Sequence, residues 1–176
     1  MFWYNEPKNW HQEGTKLVVN AEGKTDFWRV TLHHFIKDDG HFYYQQVRGD
    51  FAATVTIRGE YATLYDQAGL MVRENEHIWL KCGIEYLNGV QQASAVITRD
   101  FSDWSIVPLT DNPTVIWMRV VRSGAAVEVY FSRDGEAYTL IRQGYLTSTS
   151  ALQVGMMCAA PQGEGFRVTF TDFSVG

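Results

Sequence analysis

Apolar residues recur at every second position through most of the chain. Phe51, Ala53, Val55 and Ile57 alternate with Ala52, Thr54, Thr56 and Arg58, and Ile116, Met118 and Val120 alternate with Trp117, Arg119 and Val121. The same beat runs through Val127, Val129 and Phe131, through Leu152, Val154, Met156 and Cys158, and through Phe166, Val168 and Phe170. Successive strand side chains point to opposite faces, so this period predicts strands with one face buried. No stretch holds the i, i+3, i+4, i+7 stripe of a substantial helix. Asp39-Gly40, Gly49-Asp50, Asn88-Gly89, Ser123-Gly124, Asp134-Gly135 and Gln162-Gly163 separate the runs, and such pairs readily supply the positive φ of tight hairpins. About a dozen short strands joined this way predict an antiparallel all-β domain of two stacked sheets.

One region departs from the plain pattern. In His77–Glu85 the core set is Ile78, Leu80, Cys82 and Ile84, while the opposite set is His77, Trp79, Lys81, Gly83 and Glu85. Solvated strand faces favour small polar residues and plain charges, so a Trp among His, Lys and Glu suggests an aromatic platform for a polar, ring-shaped ligand. If Gln67–Arg73 pairs with this segment through Glu74-Asn75-Glu76, Arg73 lies across from His77. Gln67, Met71, Trp79, Lys81 and Glu85 then share a surface. Trp79 is expected to stack on a pyranose there, with Gln67, Arg73, His77, Lys81 and Glu85 around it. The alternative is a partly solvated face carrying cross-strand ion pairs. Arg99 and the Ser102-Asp103-Trp104-Ser105 segment admit two readings. The segment caps a turn with Trp104 closing one end of the sandwich, or Arg99 and Trp104 rim the same groove. Arg99, Arg73 and Lys81 together would suit an acidic sugar, because a guanidinium binds carboxylates bidentately.

Catalytic patterns are sparse. Glycosidic cleavage on a strand asks for carboxylates at i and i+2, roughly 6.5–7 Å apart. Only Glu74 and Glu76 fit, and they flank a turn. Glu85, assisted by Lys81 or Arg99, is the remaining candidate. Neither a Gly-x-Ser-x-Gly elbow nor a paired-His zinc motif is present. His33 and His34 are adjacent, so on a strand they face opposite ways, as ordinary surface and packing residues do. Phe2, Trp3, Tyr4 and Trp10 read as packing of the N-terminal strand, with an exposed partner-binding patch as the alternative.

Size and charge narrow the choice further. With 176 residues the chain suits one domain, residues 1–176. An aromatic share of 14% fits pleated faces, and a formal charge of −5 with no basic cluster disfavours nucleic acid and anionic membrane surfaces. No apolar run approaches the roughly 18 residues of a membrane span. The first residues, Met-Phe-Trp-Tyr-Asn-Glu-Pro-Lys, lack a signal peptide's basic and apolar regions, so a cytoplasmic location is expected. Cys82 and Cys158 fall on apolar strand sets and read as free buried thiols, with a disulfide left open. The residues call for no metal and no cofactor.

Read in order, Asp26-Phe-Trp28, Asp66-Gln-Ala-Gly-Leu70, Trp79-Leu-Lys-Cys-Gly-Ile-Glu85 and Thr98-Arg-Asp-Phe-Ser-Asp-Trp-Ser105 form a recognisable series. Tyr130-Phe-Ser-Arg-Asp-Gly135, Val154-Gly155 and Phe170-Thr-Asp-Phe173 continue it. The series resembles a family of domains named after a regulator-of-enolase protein, in the concanavalin A-like lectin/glucanase superfamily. The resemblance implies a jelly roll of two curved antiparallel sheets, with glycans bound or cleaved on the concave one. The Glu-x-Asp-x-x-Glu pattern of the related glucanases is absent. The leading expectation is a carbohydrate- or glycan-fragment-binding domain. A glycoside hydrolase or lyase is the alternative, and a protein-interaction module acting on a metabolic enzyme is suggested by the family's name.

Overall fold

The computed structural model describes residues 1–176. The chain forms sixteen strands, more than the alternation shows, because several are too short to display a period. They begin with β1 (Phe2–Tyr4), β2 (Trp10–Glu13), β3 (Lys16–Glu22), β4 (Phe27–Arg29), β5 (Ile36–Asp38) and β6 (His41–Arg48). There follow β7 (Phe51–Gly59), β8 (Gln67–Arg73), β9 (Ile78–Leu87), β10 (Val90–Arg99) and β11 (Phe101–Leu109). The chain closes with β12 (Ile116–Ser123), β13 (Ala126–Ser132), β14 (Thr139–Tyr145), β15 (Ala151–Ala159) and β16 (Gly165–Val175). Two seven-stranded antiparallel sheets result, in the orders β1-β6-β15-β8-β9-β10-β11 and β14-β13-β12-β7-β16-β3-β2. They stack as a sandwich. No helix of a length and polarity to cross a membrane is present.

The alternating apolar residues meet between the sheets in a cluster of 32 buried side chains. Leu70, Val72, Leu80, Cys82, Ile84, Ala93, Ala95 and Ile97 enter it from the first sheet, and Val55, Ile57, Met118, Val120, Val129, Val168 and Phe170 from the second. Cys82 and Cys158 are both buried and free. Burial raises the Cys82 thiol to about 12 and pushes Cys158 up as well, so neither is a ready nucleophile.

The outer face of the first sheet is also covered. Residues 24–40, carrying the small β4–β5 hairpin, fold back across β8, β9 and β10, and every residue of β8 is buried. Phe27 leads a second cluster with Phe42, Met71, Trp79, Val96 and Met157. Polar contacts fasten the cover. Arg73 grips Asp38 through two 2.7 Å bonds, and Lys81 Nζ donates to the Phe27 carbonyl at 2.6 Å. The backbone N–H of Arg29 donates to Ser102 Oγ at 2.9 Å. Asn5 donates to the carbonyls of Asp38 and Gly40 at 2.9 Å each. The strands beneath are thus buried on both faces, which removes the polar alternation of an open antiparallel sheet.

Candidate functional site

The β8–β9 register places Gln67 opposite Glu85, Met71 opposite Lys81, and Arg73 opposite Trp79. Arg73 therefore does not face His77, because residues 74–77 together make the connection. Gln67, Lys81 and Glu85 do share the outer face. Between the last two, Gly83 pairs with Gly69 so closely that a Cβ on Gly83 would lie 2.0 Å from the Ala68 carbonyl oxygen. A side chain at this position would force the strands apart.

Where the 24–40 cover lifts off the sheet, a cavity of about 260 Å³ opens. Its floor is polar and tightly wired. Lys81 Nζ donates to Gln67 Oε1 at 2.6 Å and to Asp26 Oδ1 at 3.3 Å, in addition to the Phe27 carbonyl. Gln67 Nε2 donates to Asp26 Oδ1 at 3.2 Å. Beside this group, Glu85 Oε2 accepts from Ser94 Oγ and from Trp104 Nε1, both at 2.8 Å. Both protein hydrogen bonds of Glu85 end on Oε2, leaving Oε1 without a protein donor. Asp26 likewise receives all its side-chain hydrogen bonds on Oδ1. Glu85 is 8% exposed, and loss of solvent raises its carboxyl above the usual range, against the attraction of Lys81.

The walls are aromatic. Trp104, 37% exposed, stands on edge strand β11, and Trp28, His33 and Phe35 come from the cover. His33 lies edge-on to Trp28 at 5.8 Å and stacks on Phe35 at 5.7 Å. Residues 30–34 reach this arrangement through a strained path. Val30, Leu32 and His34 all have positive φ, and Thr31 and His33 donate to carbonyls two residues back. Such γ-turns are rare, and a β-branched residue at positive φ is an outlier. Strain of this kind persists where neighbouring contacts fix it, and it concentrates at ligand sites. Tyr65 completes the wall. Asp66 holds its turn by accepting from the Ala62 and Thr63 amides at 2.9 and 2.8 Å.

Of the residues the sequence singles out, Gln67, Lys81, Glu85 and Trp104 line the cavity. The other four do not. Trp79 is fully buried beneath Phe27, at a ring separation of 6.4 Å, and its indole nitrogen has no partner. It cannot be a stacking platform, because the cover occupies the face a ligand would need. Arg73 is buried and spent on Asp38. His77 contacts Asp100 at 2.8 Å at the far end of β9. Arg99 lies over the Tyr145 ring at 4.5 Å, outside the cavity. The acidic-sugar reading thus loses both of its guanidinium groups. Ser102–Ser105 is strand rather than turn cap, with Ser102 pinning the cover and Asp103 pairing with Arg142 at 2.7 Å.

Sequence reasoning missed Asp26, Trp28, His33, Phe35 and Tyr65. A signal existed for the first two, since Asp26-Phe-Trp28 opens the series of shared motifs. His33 and His34 lie in a loop rather than on a strand, so the opposite facing expected of adjacent strand residues does not apply to them. Phe2, Trp3, Tyr4 and Trp10 take part in packing, with Trp3 against Tyr43 at 4.7 Å and Trp10 at 5.3 Å, although Phe2 itself stays exposed.

Comparison with known proteins agrees with the resemblance seen in the motifs. The chain belongs to the family described as "Protein of unknown function (DUF1349)", which matches residues 3–176. It is 37% identical over 173 residues to "Regulation of enolase protein 1" of Saccharomyces cerevisiae, covering 98% of this chain and 87% of that protein. The crystal structure of a functionally unknown protein from the same yeast superposes with a TM-score of 0.96 at 36% identity, covering 99% and 95% of the two chains. The GH43 protein BlXynB (K247S mutant) of Bacillus licheniformis shares the fold, with a TM-score of 0.75 at 14% identity, over 97% of this chain and 35% of that one.

Proposed function

We propose that this member of the DUF1349 family binds a small carbohydrate or glycan fragment in the cavity between the 24–40 cover and sheet residues Gln67, Lys81 and Glu85. One observation carries the reading: a buried, hydrogen-bonded polar floor lies under an aromatic wall containing two tryptophans, Trp28 and Trp104. Sugars present flat C–H faces to aromatic rings and hydroxyls to polar atoms, so the two surfaces complement one ring. A volume near the lower end of small-molecule sites, about 300 Å³, favours a single ring over a long oligosaccharide. The frame we assign is a concanavalin A-like jelly roll formed as one domain over residues 1–176 and working in the cytoplasm. The GH43 likeness adds fold alone.

Glycoside cleavage is the second reading, favoured by one feature. The cover brings Asp26 to the cavity beside Glu85, supplying the second carboxylate that strand spacing lacks. A glycan array on the purified protein, with a reducing-end assay on every hit, separates the two. Binding without turnover supports a lectin-like role, and turnover that Glu85→Gln abolishes supports the hydrolase. Trp104→Ala is expected to weaken binding about tenfold or more while the fold persists, because the ring is partly exposed on an edge strand. Unchanged affinity in Trp104→Ala, or an array with no hits, rejects a sugar site at this cavity.

A further inference from the structure

We infer that the cavity selects a neutral, hydroxyl-bearing sugar ring and rejects its carboxylate-bearing counterpart. This deepens the sugar-binding reading above and rests on it. The argument is a census of which polar atoms are free. All three protons of the Lys81 ammonium have acceptors: Phe27 O, Gln67 Oε1 and Asp26 Oδ1. Lys81 therefore positions Asp26 and Gln67 and has no proton left to donate to a ligand. The two mouth lysines are each matched to a carboxylate, Lys24 to Glu164 at 3.3 Å and Lys37 to Asp39 at 2.9 Å. Each also donates to a backbone carbonyl, Lys24 to that of Gln162 and Lys37 to that of Lys24. No guanidinium reaches the cavity.

With Glu85 ionised, the free atoms of the floor are acceptors. Glu85 Oε1 and Asp26 Oδ2 have no protein donor, and Glu85 is 8% exposed. A ligand that fills the floor must supply hydrogen-bond donors. Sugar hydroxyls do so, and they can accept in turn from Tyr65 or His33 at the wall. A uronate carboxylate brings only acceptors and a negative charge into a water-poor space already holding two carboxyl groups. Like charges a few ångströms apart repel far more strongly there than in water. Burial is the main cause that raises the Glu85 carboxyl, against the attraction of Lys81 and the Ser94 hydrogen bond, and the Asp26 carboxylate adds to the rise.

The test is a titration of the full chain with matched pairs, each a methyl glycopyranoside and its uronate, in the gluco, galacto and manno series. Tryptophan fluorescence or ligand-observed NMR follows binding in buffers stepped from neutral to alkaline pH. In at least one series the neutral glycoside is expected to bind at least about tenfold more tightly than its uronate. Glu85→Gln keeps an acceptor and removes the charge, so the gap should close to about threefold or less. A uronate that binds as well as or better than its neutral partner overturns the proposal and leaves the sugar site standing. A gap untouched by Glu85→Gln overturns it too, because the charge would then play no part. Failure of both members in every series sinks the sugar reading itself, and the selectivity with it.

Discussion

The outer face of the first sheet is built alike at its two ends and used differently. At one end Arg73, Trp79 and Thr98 lie side by side across three strands, and at the other Gln67, Glu85 and Gln92 do so. Both rows place polar groups on the side away from the core. Over the first, the cover presents Phe27 and Asp38, which fill the space and neutralise the guanidinium. Over the second it presents Asp26, Trp28, His33 and Phe35, which stand back and leave a cavity. The chemistry of a strand face does not decide whether it becomes a site. What lies across from it does.

The sharpest way to break this contrast is at the sealed end. Trp79→Ala removes the largest fully buried side chain, from a cluster that has no room to collapse without moving Phe27. A loss of about 3–5 kcal/mol in urea denaturation is expected. A loss below about 1 kcal/mol, with sugar affinity abolished, would reverse the assignment and make Trp79 a ligand platform after all.

Asp38→Ala tests the electrostatic part of the seal. Arg73 would remain buried with no counter-ion, and Tyr4 would lose its 2.7 Å acceptor. Burial first, then the Asp38 carboxylate, now push the Tyr4 phenol up to about 12. Stranding a buried charge costs about 3–5 kcal/mol, and the partial exposure of Asp38 points to the lower figure. Thermal unfolding measures it. If Asp38→Ala matches wild type, the ion pair is incidental and the cover is held by Phe27 and the remaining hydrogen bonds.

The pattern of the strands was legible because period two is a local property. Ile78, Leu80, Cys82 and Ile84 could be assigned to the core from their own spacing, and alternation with the intervening turn suggested that residues 67–73 pair with 77–85, but not the register, since Arg73 meets Trp79 rather than His77. The outer face was legible only as unusual. Trp79 and Lys81 are two residues apart on one face, yet one is sealed and the other borders a cavity, because Phe27 lies over the first and Asp26 beside the second. That distinction is made by a segment some fifty positions away in the chain, and no local pattern encodes where it docks. The wall was harder still. Residues 30–34 run through alternating positive φ, so the strand geometry assumed for His33 and His34 does not apply there.

The smallest expected effect isolates the open end. Glu85 is buried beside the cavity, and desolvation is the main reason its carboxyl is raised above the ordinary range, opposed by Lys81 and by the Ser94 and Trp104 hydrogen bonds. In the unfolded chain the same carboxyl ionises normally. As pH rises past the usual carboxylate pKa, the unfolded state sheds this proton while the folded state keeps it. Folding stability therefore falls across the window between the unfolded pKa and the raised folded one, and levels off above it. Glu85→Gln has no proton to keep, and its amide oxygen can still accept from Ser94 and Trp104. The melting temperature of Glu85→Gln minus that of wild type should accordingly increase with pH across that window and then hold constant, while the other titrating groups cancel in the difference. A pH-independent difference for Glu85→Gln would mean that burial does not hold this carboxyl above its ordinary range. The floor of the open end would then be solvated like any surface, and the contrast with the sealed end would rest on packing alone.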